Sequence, residues 1–242
     1  TIISGMGELH LEVLQKRLAR DFNLNVKVHK PRVSYRETVR AQASAEGEFH
    51  RATQGTVQRF GIKVRVEPFE GKEPITVASI LKPDELPVDI ARLINQAVHE
   101  AAQAGGIVGY PLMHVKFTVL SVDYVEGEST EEAIRAGVSQ AVYNTLGKAD
   151  VGLLEPIMKL EVVTPAEFLG NIQADLNQRH ARIMGAEPRD HLTALEAEAP
   201  LSRMFGYSTQ VRSLSQGRAG YSMEPLKYDF APQSVMDEMM GR

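Results

Sequence analysis

Residues 153–226 read LLEPIMKLEVVTPAEFLGNIQADLNQRHARIMGAEPRDHLTALEAEAPLSRMFGYSTQVRSLSQGRAGYSMEPL, and their periodicity sets the fold class. Met158, Leu160 and Val162 alternate with Lys159 and Glu161, the two-residue period of a strand with one buried face. Ala166–Gln178 predicts a helix, 181–186 and 192–199 two strands, and 205–215 a second helix. A last strand is expected over 218–226, with Ala219, Tyr221 and Met223 on one face. The order β-α-β-β-α-β is the split unit of a ferredoxin-like fold, so the chain is of the α+β class.

Working upstream, Leu11, Leu14, Leu18 and Phe22 recur at helical spacing. Leu24, Val26 and Val28 then alternate with polar residues, as in a strand that Lys30-Pro31 breaks. Ile2 and Ile3 read as a strand end and Ser4 to Gly7 as a turn, so residues 1–37 predict half of a small sandwich. The opening segment is apolar and lacks an initiator Met, which predicts a fragment with an upstream part. Between these ends, 38–153 predicts a middle α/β domain. It comprises an extended crossing segment, a long hairpin about the loop ATQGTVQRFG, a turn-rich connection over 68–74 and a helix from Val88 to Ala104. GGIVGYP then leads into a strand carrying Met113, Val115, Phe117 and Val119. Ser129 to Glu132 fits a capping box opening a helix whose inner face is Ile134, Val138, Ala141, Val142 and Thr145. Residues 154–230 form the ferredoxin-like unit, and 231–242 a tail expected to be a short helix or a frayed end.

Composition excludes several classes. The 242 residues carry 43% apolar and 24% charged side chains, enough apolar surface to offset chain entropy. No apolar run approaches the roughly 20 residues a spanning helix needs, and no secretory leader pattern is visible. Cysteine is absent, which removes thiol nucleophiles, thiolate metal sites and disulfides. The formal net charge of −4 gives no global nucleic-acid signal, so any RNA contact must be a local patch.

Catalytic signatures are missing. No GxxxxGK[ST] and no GxGxxG opening a helix occurs, and the seven histidines are scattered. Ser129 is better read as a cap than a nucleophile, and Glu126 with Glu128 as solvated acids than as an acid–base pair. GGIVGYP follows a helix, where a phosphate loop should precede one; it is the single feature favouring a small-molecule kinase with this fold. Arg51, Arg59, Lys63 and Arg65 surround the hairpin and could meet phosphates, with Gln54, Thr56 and Gln58 reaching sugar or base edges. The competing reading makes Lys63 and Arg65 the wet face of a strand. In the last domain Arg212 and Arg218 flank Ser213, Ser215 and Gly217, small residues that let an RNA backbone approach. A glycine helix cap followed by a strand also explains that pattern.

GMGELHLEVLQKRLARDFNLNVKVHKPRVSYRET (5–38) resembles the end of the third domain of the elongation factor G family. GGIVGYPLMHVKFTVLS and STEEAIRAGVSQAVYN resemble its fourth domain. Residues 153–185 and 199–232 resemble its fifth, nearly without gaps. The resemblance implies a partial ferredoxin-like sandwich, a ribosomal-protein-like α/β domain with a left-handed crossover, and a complete ferredoxin-like domain. It further implies a monomeric, cytoplasmic piece of a translational GTPase, itself not an enzyme and without cofactor or metal. GTP with Mg would bind a domain upstream. Partners implied are the ribosome at its decoding centre, with tRNA–mRNA, and the large-subunit stalk base and sarcin–ricin region. The implied contact residues at the arm tip are Thr53, Gln54, Gly55, Thr56, Gln58, Arg59, Tyr124, Val125, Glu126 and Gly127. In the last domain they are Gly206, Tyr207, Arg212, Ser213, Gly217 and Arg218. Both tip loops depart from the family pattern: the first keeps only Gly55 and Arg59, and Val125 follows Tyr124 where a histidine is usual. That departure raises a second reading, a paralogue acting with ribosome-recycling factor to split subunits.

Overall fold

A computed structural model describes residues 8–24, 26, 33–53 and 55–241, with backbone alone for 8–12 and Thr53. The chain divides into two compact units: residues 35–154 with 230–242, and residues 1–34 with 155–229.

The unit built on residues 35–154 contains strands β1 (Arg36–Val39), β2 (Ala43–Thr53), β3 (Thr56–Pro68), β4 (Ile75–Ser79) and β5 (Val115–Asp123). Its helices are α2 (Val88–Ala104) and α3 (Glu131–Lys148). A sheet in the order β2-β3-β5-β4 forms its centre. β4 and β5 are parallel, so α2 is the crossover between them. Sequence reasoning missed β4, whose five residues ITVAS are too short for alternation to stand out beside the turn-rich 68–74. Alternation along β3 buries Phe60, Ile62, Val64 and Val66, which meet Val115, Phe117 and Val119 of β5 and the inner faces of the helices. The expected stripe of α3 is buried as read: Ile134, Val138, Ala141, Val142 and Thr145. Gly47 of β2 lies so close to α3 that a Cβ there would strike the backbone at Gly137 and Ala141. The tail forms α6 (Gln233–Met239), which sets Met236 into this core.

The cap of α3 corrects the expected capping box. Thr130, not Ser129, is the N-cap, its hydroxyl accepting from Ala133 N at 3.3 Å.

The other unit contains α1 (Glu8–Phe22) and the expected βαββαβ order: strand β6 (Val151–Pro165), α4 (Ala166–Gln178), β7 (Arg182–Arg189), β8 (Leu192–Pro200), α5 (Tyr207–Leu214) and β9 (Gly220–Phe230). β6 begins seven residues before Met158, the first residue of its predicted alternation; its first four residues, Val151–Leu154, belong to the first unit, where they pair antiparallel with β1. From Ile157 onward β6 pairs with β8, and the strand order β9-β6-β8-β7 is that of a ferredoxin-like sheet. Phe168, Ile172 and Leu176 of α4 and Tyr207 and Val211 of α5 cover Leu160, Val162, Leu195, Ala197 and Ala199. The strand expected over 24–28 falls partly outside the described residues; Leu24 and Val26 are exposed and not in a strand. The expected strand end and turn over 2–7 and the break at Lys30-Pro31 lie outside them altogether.

Candidate functional site

The first candidate is the free end of the β2–β3 hairpin. Thr53 pairs with Thr56, so the connection is two residues, not the ten-residue loop expected from ATQGTVQRFG. Thr56, Gln58 and Arg59 are therefore strand residues. Gln54 lies outside the described residues. Gly55 has φ 89°, the left-handed region that short hairpin turns require. The second loop closes as a turn in which Glu128 N and Ser129 N both donate to Val125 O, at 3.1 and 2.8 Å. Gly127 takes φ 82° there. Tyr124 and Val125 are half-buried, while Glu126 and Gly127 are exposed.

Three contacts tie the two loops together. Arg59 N donates to Glu128 O at 3.2 Å, the buried Ser129 hydroxyl donates to Arg59 O at 2.8 Å, and Arg59 Nε donates to Glu128 Oε2 at 2.7 Å. Ser129 Oγ also accepts from Val125 N at 2.9 Å. Ser129 is thus a fastener rather than a cap or a nucleophile, and Glu128 is an ion-pair partner rather than half of an acid–base pair. Beyond Arg59 the hairpin continues for the pairs Gln58–Arg51, Val57–Ala52 and Thr56–Thr53. At a strand rise of about 3.4 Å it extends roughly 10 Å past the tie.

The basic residues around the hairpin are all matched with acids. Arg51 lies 3.6 Å from Glu132, Lys63 2.9 Å from Glu46, and Arg65 3.9 Å from Glu67. Lys63 and Glu46 are directly opposite in register, which favours the wet-face reading for Lys63. Its hydrogen bond holds the Glu46 carboxyl below the usual carboxylate range. Over residues 50–59 and 123–132, Arg51 and Arg59 stand against Asp123, Glu126, Glu128, Glu131 and Glu132, a net of −3. The acids all belong to β5, the second loop and the first turn of α3, so the base of the hairpin end is net acidic while residues 50–59 themselves carry none.

GGIVGYP is a cradle already filled. Glu37, fully buried on β1, accepts from Tyr110 N at 2.8 Å and from Val108 N at 3.1 and 3.2 Å. A side chain at Gly106 would collide with the same carboxylate. The loop amides that a phosphate would need hold the chain's own anion instead, which removes the structural ground for the kinase reading. Glu37 carries no sequence signal of this role, because the partner loop is some seventy residues away. Among the described residues, no group of three His, Asp or Glu is arranged to hold a metal ion.

The second candidate is the region around α5. Gly206, at φ 73°, admits the chain into the helix, and Gly217 N donates to Arg212 O at 2.8 Å to close it. Ser215 is buried, bonded to Val211 O and Ala219 N, and so is structural. Tyr207 corrects the expected contact list: the residue is 1% exposed, its ring edge-on to Tyr221 and beneath the Arg179 guanidinium, and burial raises the phenol pKa. A buried ring cannot meet RNA directly. Arg218 is paired with Glu167 at 3.0 Å and lies over Phe168. Arg212, Ser213 and Gly217 remain exposed at the C-terminal end of α5, and Phe205, which sequence reasoning passed over as a contact, is exposed before its N-terminus. Arg179 sets this surface, donating to Asp175 at 2.8 Å and to Arg203 O at 2.7 Å in the turn before Gly206.

Three family models match in succession: "Elongation Factor G, domain III" over residues 1–30, "Elongation factor G, domain IV" over 31–150, and "Elongation factor G C-terminus" over 152–239. Elongation factor G of Thermotoga maritima is 43% identical over 99% of this chain, and that of Fervidobacterium nodosum 42% over 99%. The chain spans only 35% of the length of each. A crystal structure from Thermus thermophilus is 30% identical with a TM-score of 0.87, covering 98% of this chain and 36% of that one. No described helix is long and apolar enough to cross a membrane. The chain belongs to the elongation factor G family, as a segment running from domain III through domain IV to the C-terminal domain.

Proposed function

We propose that this chain is the ribosome-engaging part of a cytoplasmic translational GTPase and itself catalyses no bond making. In this reading the β2–β3 hairpin enters the decoding centre of the small subunit during tRNA–mRNA translocation. The exposed α5 surface, with Arg212, Ser213, Gly217 and the neighbouring Arg218, faces ribosomal RNA at the large-subunit stalk base and sarcin–ricin region. GTP and Mg are bound by a domain upstream, whose hydrolysis reorients the arm. The observation that carries the reading is the hairpin itself: a two-residue connection on strands that run about 10 Å beyond their last tie, within the segment matching domain IV.

A second reading has one observation in its favour. A net charge of −3 over residues 50–59 and 123–132, where the second loop meets the hairpin, is poorly suited to holding a polyanion, and Val125 stands where the family usually has a histidine. Subunit splitting with ribosome-recycling factor asks less of phosphate contacts at that end. The test is single-turnover translocation and subunit splitting, run side by side on the full-length factor. Replacing residues 52–57 by a shorter turn is expected to slow the factor's principal activity at least tenfold while GTP hydrolysis continues. Unchanged rates in both assays would refute the assignment of the hairpin as the working end. Translocation at the full rate of a standard translocase would refute the weight given to the altered loops.

A further inference from the structure

We propose that Glu128 and Glu132 set the charge specificity of the hairpin end by masking its two arginines. The inference rests on the reading of that end as facing RNA.

Arg51 and Arg59 are the only cations within residues 50–59, and they stand on partner strands one register pair apart, opposite Gln58 and His50 respectively. Adjacent register pairs point to opposite faces of the ribbon, so each guanidinium could meet a separate phosphate, one on each face. Each is instead held by a carboxylate from the second loop or the first turn of α3. Arg59 is fixed by a 2.7 Å side-chain bond to Glu128 on a backbone frame locked by Ser129, and Arg51 is drawn to Glu132 at 3.6 Å. Both pairs are solvent-exposed, with side-chain exposures of 47% and 38% for the first and 60% and 67% for the second. Exposed pairs are weak, so a phosphate could displace them. The carboxylates would remain beside the phosphate, however, because Glu128 is tethered by its own backbone and Glu132 by the helix. The end therefore selects against close phosphate approach while keeping two arginines in reserve. Neutralising the two acids should uncover them.

The test uses the complete factor bound to ribosomes programmed with mRNA and tRNA, titrated from about 50 to 200 mM salt. Glu128→Gln and Glu132→Gln are each expected to tighten binding about two- to fivefold at the low-salt end. The plot of log K against log salt should steepen by roughly 0.7–0.9 per arginine released. Adding Arg59→Gln to Glu128→Gln, or Arg51→Gln to Glu132→Gln, should abolish the respective gain. A photo-crosslinking residue at position 56 reports separately what the hairpin end touches. Crosslinks to RNA with no gain in the Gln variants overturn the masking inference alone. Gains that survive loss of the arginine overturn it too, as a general effect of net charge. Crosslinks confined to protein overturn the RNA-facing reading and this inference with it.

Discussion

Glu37 offers the sharpest test of how the domain IV unit is held together. Its carboxylate accepts from Val108 N and Tyr110 N, and its backbone adds two more bonds to the same strap: Glu37 N donates to Pro111 O at 3.1 Å and Met113 N to Glu37 O at 2.8 Å. Glu37→Ala leaves the backbone bonds but strands two part-buried donors, at roughly 1–2 kcal/mol each by mutational scales. The void left by the side chain adds about 1 kcal/mol. The expected loss is about 3 kcal/mol. Glu37→Gln keeps the shape and one acceptor but loses charge assistance on both amides, about 1–2 kcal/mol in total. Gly106→Ala should cost a similar amount, because the added methyl meets the carboxylate. Two compact units make a single global transition unsafe, so the assay is amide exchange at Val108 and Tyr110 beside urea unfolding followed by far-UV circular dichroism. The group deleted in Glu37→Ala is the size of acetate, so added acetate should restore protection in that variant and in no other. Undiminished protection in Glu37→Ala, or acetate acting equally on wild type, would refute the claim that the loop is organised around this carboxylate.

Two further outcomes concern the ferredoxin-like unit. Arg179→Met removes the bonds to Asp175 and Arg203 O and leaves a mostly buried carboxylate, so it should cost about 2–3 kcal/mol and expose the amides of 203–207 to exchange; unchanged protection there would dismiss Arg179 as the support of that turn. Glu155 is 4% exposed and burial raises its pKa, against the donated Ser202 hydroxyl bond and the favourable charges of Arg203 and His180, with Asp229 adding to the rise. The folded state thus prefers the protonated acid. The penalty is absent below the unfolded pKa, near pH 4, and full above the raised folded one. Glu155→Gln should therefore stabilise at neutral pH and lose its advantage on acidification, as read from thermal midpoints against pH. A gain independent of pH would contradict this.

What could be read from the sequence was what repeats locally. The alternation of Met158, Leu160 and Val162 and the stripe of α3 each reflect one buried face, and both faces are where periodicity put them. The site was less legible because its contacts join distant positions. Arg59 and Glu128 are separated by 69 residues, and nothing in either segment announces the other. Ser129 looked like a cap because it precedes a helix by the right count. The neighbouring Thr130 takes that task, which leaves Ser129 free to fasten the loops. The resemblance implied Tyr207 as a contact, yet among the described residues it is the largest fully buried side chain of its unit. GGIVGYP follows a helix and so does not read as a phosphate loop; that its amides hold Glu37 is invisible in the sequence, because the two segments are 73 residues apart.

The charge of the hairpin end bears on how such an arm could act under the proposed reading. An attractive tip would hold tRNA by phosphate contacts and would have to break them to leave, with a rate set by salt. The arginines of this hairpin cannot hold in that way, since each phosphate drawn toward Arg51 or Arg59 also approaches Glu132 or Glu128. It can still occlude. β3 is paired on both edges, with β2 and with β5, and the second loop braces it at Arg59, so the hairpin resists bending up to the tie. Stiffness without adhesion makes the end a wedge or a pawl. Both translocation and subunit splitting can use such a part, which is why the two assays, and not the geometry of the hairpin, separate them.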